Sequence, residues 1–210
     1  MQQGSTEWLQ ARAGKVTASR VADVVARTKT GWGASRANYM AELISERLTG
    51  VPASSFTNAA MQWGTDTEPQ ARTAYARHMQ IAVEEVGFID HPLIFMSGAS
   101  PDGLIVDQPG LVEIKCPNTA THIDTLLLKS VPGKYLTQIY WQLACTGRQW
   151  CDFVSYDPRL PENMQLFVQR VDRDSAEIAR LEEIVEEFLA EVDAKIMALR
   201  EIYEIKKEAA

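Results

Sequence analysis

The sequence predicts a single α/β domain over residues 1–210, on three observations. Its 210 residues are 46% hydrophobic and 23% charged, which is typical of a folded globular protein with one substantial core. Apolar residues recur at helical spacing before residue 80, and β-branched and aromatic residues then dominate 81–117. An amphipathic stretch over 174–207 predicts a long C-terminal helix.

Helices are predicted in the first third of the chain. The run TASRVADVVART predicts a helix that begins at Thr17 or Ser19. A second helix is predicted from Ser35 to Gly50, because glycine commonly follows the last helical turn. A third begins at Asp66 and carries Pro69 in its first turn, where proline is tolerated.

Strands are predicted in the middle of the chain. Residues 81–96 carry β-branched and aromatic residues broken by turn formers. Residues 97–117 contain two short apolar runs about a turn at 107–110, which predicts a β-hairpin. The elements predicted after the hairpin are a helix over Lys134–Cys145 and a strand pair over Asp152–Tyr156 and Met164–Val171.

Charge is unevenly distributed along the chain. The net charge is −7, and residues 151–210 account for that whole excess. We interpret the acidic excess mainly as the solvated face of the C-terminal helix, which opens with the capping-box-like pair Asp174 and Glu177. Residues 1–50 carry seven basic and four acidic side chains, so a local phosphate-binding surface remains compatible with the sequence.

Several classes of protein are disfavoured. No apolar run is long enough to span a bilayer, and the first residues do not resemble a secretory leader, so we expect a cytoplasmic protein without a membrane segment. The three cysteines, Cys116, Cys145 and Cys151, lack the pairing or spacing of a disulfide framework or a zinc site.

Candidate catalytic residues are concentrated in the predicted hairpin. Glu113 and Lys115 are two apart on a strand and share a face, and the turn would bring Glu113 beside Asp102. Neighbouring carboxylates repel one another unless a cation neutralises them. Mg²⁺ prefers carboxylates, waters and phosphate oxygens, and the main-chain carbonyl of Ile114 would complete the ligand set. Lys115 would hold the water that attacks a phosphate or stabilise the resulting hydroxide.

This segment has the form of the PD-(D/E)xK nuclease motif, although a salt-bridged surface hairpin can show the same short pattern. Further blocks make the chain resemble the lambda-type exonucleases, also called YqaJ-like phage recombinases. The blocks are Trp8-Leu9-Gln10-Ala11-Arg12 with Thr17-Ala18-Ser19, Trp63 to Glu68 with Ala71-Arg72, Ser100 to Gly103 with Glu113 to Pro117, and Tyr135 to Gln138 with Trp141.

The resemblance implies a restriction-endonuclease-like core, in which helices flank a central mixed β-sheet. It implies a 5′→3′ exonuclease that degrades one strand of linear double-stranded DNA to 5′-mononucleotides. The implied cofactor is Mg²⁺, as two ions that Mn²⁺ can replace. The implied assembly is a ring-shaped homotrimer around DNA, with a single-strand annealing protein as partner in phage-type recombination.

The resemblance also implies the roles of individual residues. Asp102, Glu113 and the carbonyl of Ile114 would bind metal, Lys115 would be the catalytic lysine, and Glu68 an additional acidic residue. The 5′-phosphate and DNA would be bound by Arg12, Ser19, Tyr135 and Gln138. From the residues alone, Glu68 is better explained as a carboxylate favoured in the first turn of a helix. Ser19 is also explained as a helix cap, and Arg12 as an ordinary surface charge.

Two alternatives stay open from the sequence. One is a structure-specific or RecB-like nuclease of the same superfamily. The other is a non-catalytic protein that binds DNA ends and mediates recombination. The carboxylates and lysine favour an enzyme, because a protein that only binds DNA gains nothing from carboxylates beside phosphate.

Overall fold

The computed structural model describes residues 1–53 and 58–204, which form helices around a mixed β-sheet. The helices are α1 (Thr6–Arg12), α2 (Val21–Val24), α3 (Ala34–Thr49), α4 (Ala59–Met79), α5 (Thr119–Leu128), α6 (Leu136–Thr146) and α7 (Ser175–Glu204). The strands are β1 (Val16–Thr17), β2 (Arg27–Thr28), β3 (Gly31–Trp32), β4 (Val83–Glu84), β5 (Ile89–Asp90), β6 (Ser97–Ala99), β7 (Gly103–Ile105), β8 (Gly110–Lys115), β9 (Trp150–Tyr156) and β10 (Leu166–Asp172).

The main sheet has the strand order β10-β9-β8-β7-β4. Strands β8 and β9 are parallel and the other neighbours are antiparallel, so the sheet is mixed. Strands β7 and β8 form the predicted hairpin, in which Gly103 lies opposite Val112. The prediction of an α/β fold with a central mixed sheet is therefore confirmed.

Helices cover both faces of the central strand β8. Val112 and Ile114 pack against Ala71 and Tyr75 of α4. On the other face, Leu111 packs in the same apolar cluster as residues of α6. Glu113 points to this second face, since side chains alternate along a strand, and it has no exposed surface. A buried carboxylate therefore lies between the sheet and α6.

The C-terminal helix follows the sequence pattern. The side chain of Asp174 accepts hydrogen bonds of 3.0 Å from the main-chain N–H groups of Ala176 and Glu177, which caps the first turn. The predicted apolar stripe is buried or partly buried against the core. The described helix ends at Glu204, and the predicted end at residue 207 lies outside the described residues.

The helix predicted to begin at Thr17 or Ser19 is present, but it is shorter than the run TASRVADVVART. The chain makes one short 3₁₀ turn, Ala18–Arg20, followed by the four-residue α2. It then enters a small hairpin, in which β2 pairs with β3. The pairing of β2 with β3 provides hydrogen-bond partners for backbone groups that a longer helix would otherwise have paired internally.

The predicted start of the third helix at Asp66 is wrong. Helix α4 begins at Ala59, because the side chain of Asn58 accepts a hydrogen bond of 2.9 Å from Met61 N–H. Pro69 therefore lies inside the helix rather than in its first turn. Burial of Ala71 and Tyr75 on the sheet offsets the hydrogen bond that proline cannot donate.

Other boundaries differ less. Of residues 81–96, only β4 and β5 are strands, while β6 forms a separate sheet with β1 and β5. Helix α5 has no counterpart in the sequence prediction. The predicted helix over Lys134–Cys145 consists of a 3₁₀ turn, Gly133–Tyr135, and α6. Among the described helices, none has the length and apolar character needed to cross a membrane.

Candidate active site

The hairpin brings the three predicted catalytic residues together. Asp102 directly precedes β7, and Glu113 and Lys115 lie on β8. Asp102 Oδ2 accepts a hydrogen bond of 2.6 Å from the N–H of Ile114, which joins the two strands beside the carboxylates. Lys115 Nζ forms an ion pair with Glu113 Oε1.

Electrostatic repulsion between carboxylates is not fully offset in this cluster. Burial, with the negative charges of Glu113 and Glu68, raises the pKa of Asp102 well above its usual value, although Lys115 and the Ile114 N–H oppose the rise. Burial lowers the pKa of Lys115, but the charges of Glu113 and Asp102 outweigh it and raise that pKa overall. The Lys115 ammonium therefore stays charged, and a further cation beside Asp102 and Glu113 would be electrostatically favourable.

Helix α6 fixes the orientation of Glu113. Gln138 Nε2 donates a hydrogen bond of 2.6 Å to Oε1, and Gln142 Nε2 donates one of 2.6 Å to Oε2. The two glutamines are four residues apart, so their side chains lie on one face of the helix. Gln138 thus lies at the predicted site, and its observed partner is Glu113.

Glu68 approaches the cluster from α4. Its carboxylate pairs at 2.5 Å with Arg72, one turn later on the same helix. Arg72 also donates a hydrogen bond of 3.0 Å to the carbonyl of Asp102 and pairs with Glu85 at 2.7 Å. Burial, with the charges of Glu113 and Glu85, raises the pKa of Glu68 against the opposing effect of Arg72 and Lys115. The carboxylate is therefore coupled to the cluster, but its direct partner is Arg72.

A cavity of about 150 Å³ lies between the carboxylate cluster of the hairpin and the N-terminal residues 8–19. Of the predicted site residues, Arg12, Ser19, Asp102, Glu113, Lys115 and Gln138 line it. The other lining residues are Gln3, Trp8, Thr17, Ala18 and Ser100. A cationic side chain and hydroxyl groups therefore share one cavity with the carboxylates.

Arg12 is held over an aromatic ring. Its guanidinium carbon lies 3.9 Å from the ring centre of Trp8, and Trp8 Nε1 donates a hydrogen bond of 2.9 Å to Ser100 Oγ. Burial lowers the pKa of Arg12, yet a guanidinium remains charged in proteins. Ser19 is exposed, and its Oγ lies 3.4 Å from Thr17 Oγ1. A cation and two hydroxyl groups are a donor set suited to phosphate.

Tyr135 and Glu68 are not among the residues that line the cavity in the described part of the chain. The ring of Tyr135 stacks on Phe153 at 5.4 Å, and Lys115 Nζ lies 5.4 Å from its centre. Tyr135 therefore touches the site through Lys115 rather than through the cavity.

Several residues that contact or line the site were given no function from the sequence, among them Trp8, Arg72, Ser100 and Gln142. Trp8, Arg72 and Ser100 stand inside the quoted blocks, and Gln142 lies one helical turn after Gln138. The spacing of four residues is the signal that could have identified Arg72 beside Glu68 and Gln142 beside Gln138.

The donor set fits a hard divalent cation. Among the described residues, no three His, Cys, Asp or Glu side chains are arranged to hold a metal ion. The predicted ligands, however, include only two side-chain carboxylates, those of Asp102 and Glu113, with the main-chain carbonyl of Ile114 between them in the chain. Mg²⁺ usually binds through one or two carboxylates and completes its shell with water and phosphate oxygens, so the small donor set is compatible with it.

The segments that form the site also lie within the part of the chain that matches a known protein family. A family model described as the YqaJ-like viral recombinase domain matches residues 7–149, which include every block quoted from the sequence. A search of the curated proteins gave no match.

Solved structures match nearly the whole chain. An alkaline exonuclease (LHK-Exo) from Laribacter hongkongensis shares 54% sequence identity with a TM-score of 0.87, over 98% of this chain and 100% of that chain. LHK-Exo in complex with dAMP gives a TM-score of 0.88 at the same identity and coverage. A phage related exonuclease from Haemophilus somnus 129PT shares 16% identity and supports the fold alone, with a TM-score of 0.72 over 88% and 96% of the two chains. The chain therefore belongs to the YqaJ-like viral recombinase family.

Proposed function

We propose that this protein is a Mg²⁺-dependent 5′→3′ exonuclease, which degrades one strand of linear double-stranded DNA to 5′-mononucleotides. The observation that carries the proposal is the shared cavity, in which Asp102, Glu113 and Lys115 lie with Arg12 and Ser19. The 54% identity to an alkaline exonuclease supports nuclease activity more generally, and the dAMP in one LHK-Exo structure is a mononucleotide of the proposed product class.

Asp102 and Glu113 would hold the cation through their carboxylates, with the main-chain carbonyl of Ile114 as a third ligand. We propose two Mg²⁺ ions, replaceable by Mn²⁺, and Glu68 as an additional carboxylate beside them. When bound, the metal supplies Lewis-acid stabilisation of the negative charge that develops on the phosphate.

Hydrolysis adds one water across a phosphodiester. The water oxygen bonds to phosphorus, the bond from phosphorus to the 3′ oxygen breaks, and a water proton passes to that leaving oxygen. Lys115 would hold and orient the attacking water from its position beside Glu113. Gln138, which donates a hydrogen bond to Glu113, and Tyr135, whose ring centre lies 5.4 Å from Lys115 Nζ, would contact the adjacent DNA backbone.

Recognition of the 5′-phosphate would set the polarity of degradation. Arg12 would bind the terminal phosphate, and Ser19 would add a neutral donor. Cleavage on the 3′ side of the first nucleotide leaves a new 5′-phosphate on the shortened strand, so each product end is again a substrate. Contacts of this kind fix position without reading sequence, and we expect little sequence preference.

The assembly and partner are proposals of the same kind. We expect a ring-shaped homotrimer and a single-strand annealing protein that receives the exposed strand, within the cytoplasm of a bacterial host. Light scattering would give three times the 23.4 kDa of one chain for a trimer. A molar mass of one chain at the concentrations used for cleavage would exclude the ring-shaped homotrimer.

The test uses linear duplex DNA labelled at one end, with and without a 5′-phosphate, in Mg²⁺ or EDTA. Asp102→Asn keeps an acceptor for the Ile114 N–H but loses the charge, and we expect cleavage to fall by about 10²–10³-fold or more, with end binding retained. Asp107→Asn is the matched control, because Asp107 is an exposed residue in the turn of the same hairpin.

The outcomes distinguish the proposed exonuclease from the two alternative functions that the sequence left open. Mg²⁺-dependent release of mononucleotides from the 5′-phosphorylated strand, lost in Asp102→Asn, supports the exonuclease. Cuts confined to internal junctions would favour a structure-specific nuclease. End binding without cleavage by the wild-type protein would favour a non-catalytic mediator.

A further inference from the structure

Gln142 is a polar residue on the buried face of α6, where its neighbours in the helix are mostly apolar. It has no exposed surface, and within the described part of the chain its Oε1 has no hydrogen-bond partner. An unpaired buried acceptor costs free energy, which an apolar side chain of similar size would avoid. The one contact that accounts for the amide is the hydrogen bond of 2.6 Å from its Nε2 to Glu113 Oε2.

The orientation of this amide is determined by Glu113. Rotating the amide by half a turn would put its oxygen against Glu113 Oε2, and two acceptors repel at that distance. The nitrogen must therefore face the carboxylate whenever Glu113 is charged. The unpaired Oε1 is the consequence of that orientation.

The two glutamines of α6 have different access to the cavity. Gln138 and Lys115 line the cavity and both contact Glu113 Oε1. Gln142 is enclosed in the core and contacts Oε2. Contacts at Oε1 can rearrange when a ligand enters the cavity, whereas the contact at Oε2 is held by packing.

We propose that Gln142 is a positioning residue that fixes the plane of the Glu113 carboxylate, so that Oε1 faces the cavity where a divalent cation would bind. This inference rests on the metal site of the proposed function. Gln142 would therefore determine the orientation of the charged Glu113 carboxylate without itself contacting metal or DNA.

The variant Gln142→Met tests the inference, because methionine is similar in length and volume but cannot donate a hydrogen bond. Metal affinity is measured by calorimetry with Mn²⁺ at fixed pH, in the absence of DNA. We expect the affinity to fall by about 10-fold, in the range for residues that orient metal ligands. The Mg²⁺ concentration for half-maximal cleavage should rise by a similar factor, while kcat at saturating Mg²⁺ changes little.

Two comparisons separate positioning from packing. Gln169→Met is the matched control, since Gln169 lies on β10 and also has a buried Oε1 without a partner; it should leave Mn²⁺ affinity unchanged. Gln142→Leu repeats the loss of the donor with a different shape. A loss of affinity confined to one of the two Gln142 variants would reflect packing and overturn the proposal.

A double-mutant comparison tests the route through Glu113. In a Glu113→Gln background, Gln142→Met should cause no further loss of Mn²⁺ affinity. Wild-type affinity in Gln142→Met, or an equal further loss in the Glu113→Gln background, would overturn the inference. If the wild-type protein binds Mn²⁺ but does not cleave DNA, the proposed function fails, and the affinities still decide the role of Gln142.

Discussion

Asp102 Oδ2 accepts a hydrogen bond of 2.6 Å from the main-chain N–H of Ile114. This bond connects the residue before β7 to the strand that carries Glu113 and Lys115. The Asp102 part of the motif and the part with Glu113 and Lys115 are therefore joined through the backbone as well as through their charges. A change at Asp102 that keeps an acceptor preserves this connection, which makes electrostatic predictions testable without loss of the hairpin.

The first prediction concerns the stability of the metal-free protein. A carboxylate whose folded pKa is raised stabilises the folded state at low pH, and this contribution is lost as pH rises from about 3.9 towards the raised value. At neutral pH the Asp102 carboxylate therefore destabilises the folded protein in EDTA. Asp102→Asn should therefore raise the Tm there, and each 1 kcal/mol gained would appear as about 2–4 °C in a chain of this size.

Differential scanning fluorimetry in EDTA and in Mg²⁺ would measure this effect. The Mg²⁺-dependent rise in Tm of the wild-type protein should disappear in Asp102→Asn, because the variant lacks a ligand. Asp107→Asn should behave as wild type in both conditions. An Asp102→Asn protein that melts below wild type in EDTA would contradict the electrostatic account.

The second prediction concerns recognition of the DNA end. Arg12→Ala should lower the ratio of cleavage rates on 5′-phosphorylated and 5′-hydroxyl ends by about 10- to 100-fold, because hydrogen bonds to charged groups contribute about 1.5–3 kcal/mol. Rates on the 5′-hydroxyl end should change much less. Arg77→Ala, an exposed arginine on α4, is the control. Equal losses on both ends would assign Arg12 to the fold rather than to the phosphate.

The hairpin of β7 and β8 could be predicted from the sequence because its geometry is local. Twelve positions separate Asp102 from Ile114, and a single turn brings them together. Alternation along β8 likewise predicts that Glu113 and Ile114 face opposite ways, and Ile114 indeed packs on α4. Helix α7 was predictable for a similar reason, since its apolar stripe alone defines the buried face.

Contacts made by packing between distant elements could not be predicted. Gln142 and Arg72 have ordinary positions in their helices, and only the docking of α6 and α4 on the sheet gives them partners in the site. Helix α5 has a local cap, Asn118, but its first residue Thr119 also donates a hydrogen bond of 2.7 Å to Asp157, far along the chain. Propensity alone contains no information about that partner.

The third prediction concerns Cys116, which directly follows Lys115 in the chain. Burial raises the pKa of Cys116 to about 12, so its thiol carries almost no thiolate at pH 8. Cys116→Ser should keep cleavage within about threefold of wild type, since the proposed nucleophile is water. All three cysteines are buried, and a thiol reagent should label them only after denaturation. Rapid labelling of the native protein with loss of activity would contradict this account.

The last prediction concerns acid stability. Asp157 is fully buried, and burial would raise its pKa, but hydrogen bonds from Arg159 and Thr119 outweigh that effect and lower the pKa to about 2. Because the unfolded value is about 3.9, the contribution is complete above that pH and is lost as pH falls towards 2. Asp157→Asn should lower the free energy of unfolding by about 1–2 kcal/mol at pH 7, a value reduced for the half-exposed Arg159. Urea unfolding should show this difference narrowing between about pH 4 and pH 2. The exposed control Asp124→Asn should show no such change. A difference that does not depend on pH would show that the Asp157 charge is not its cause.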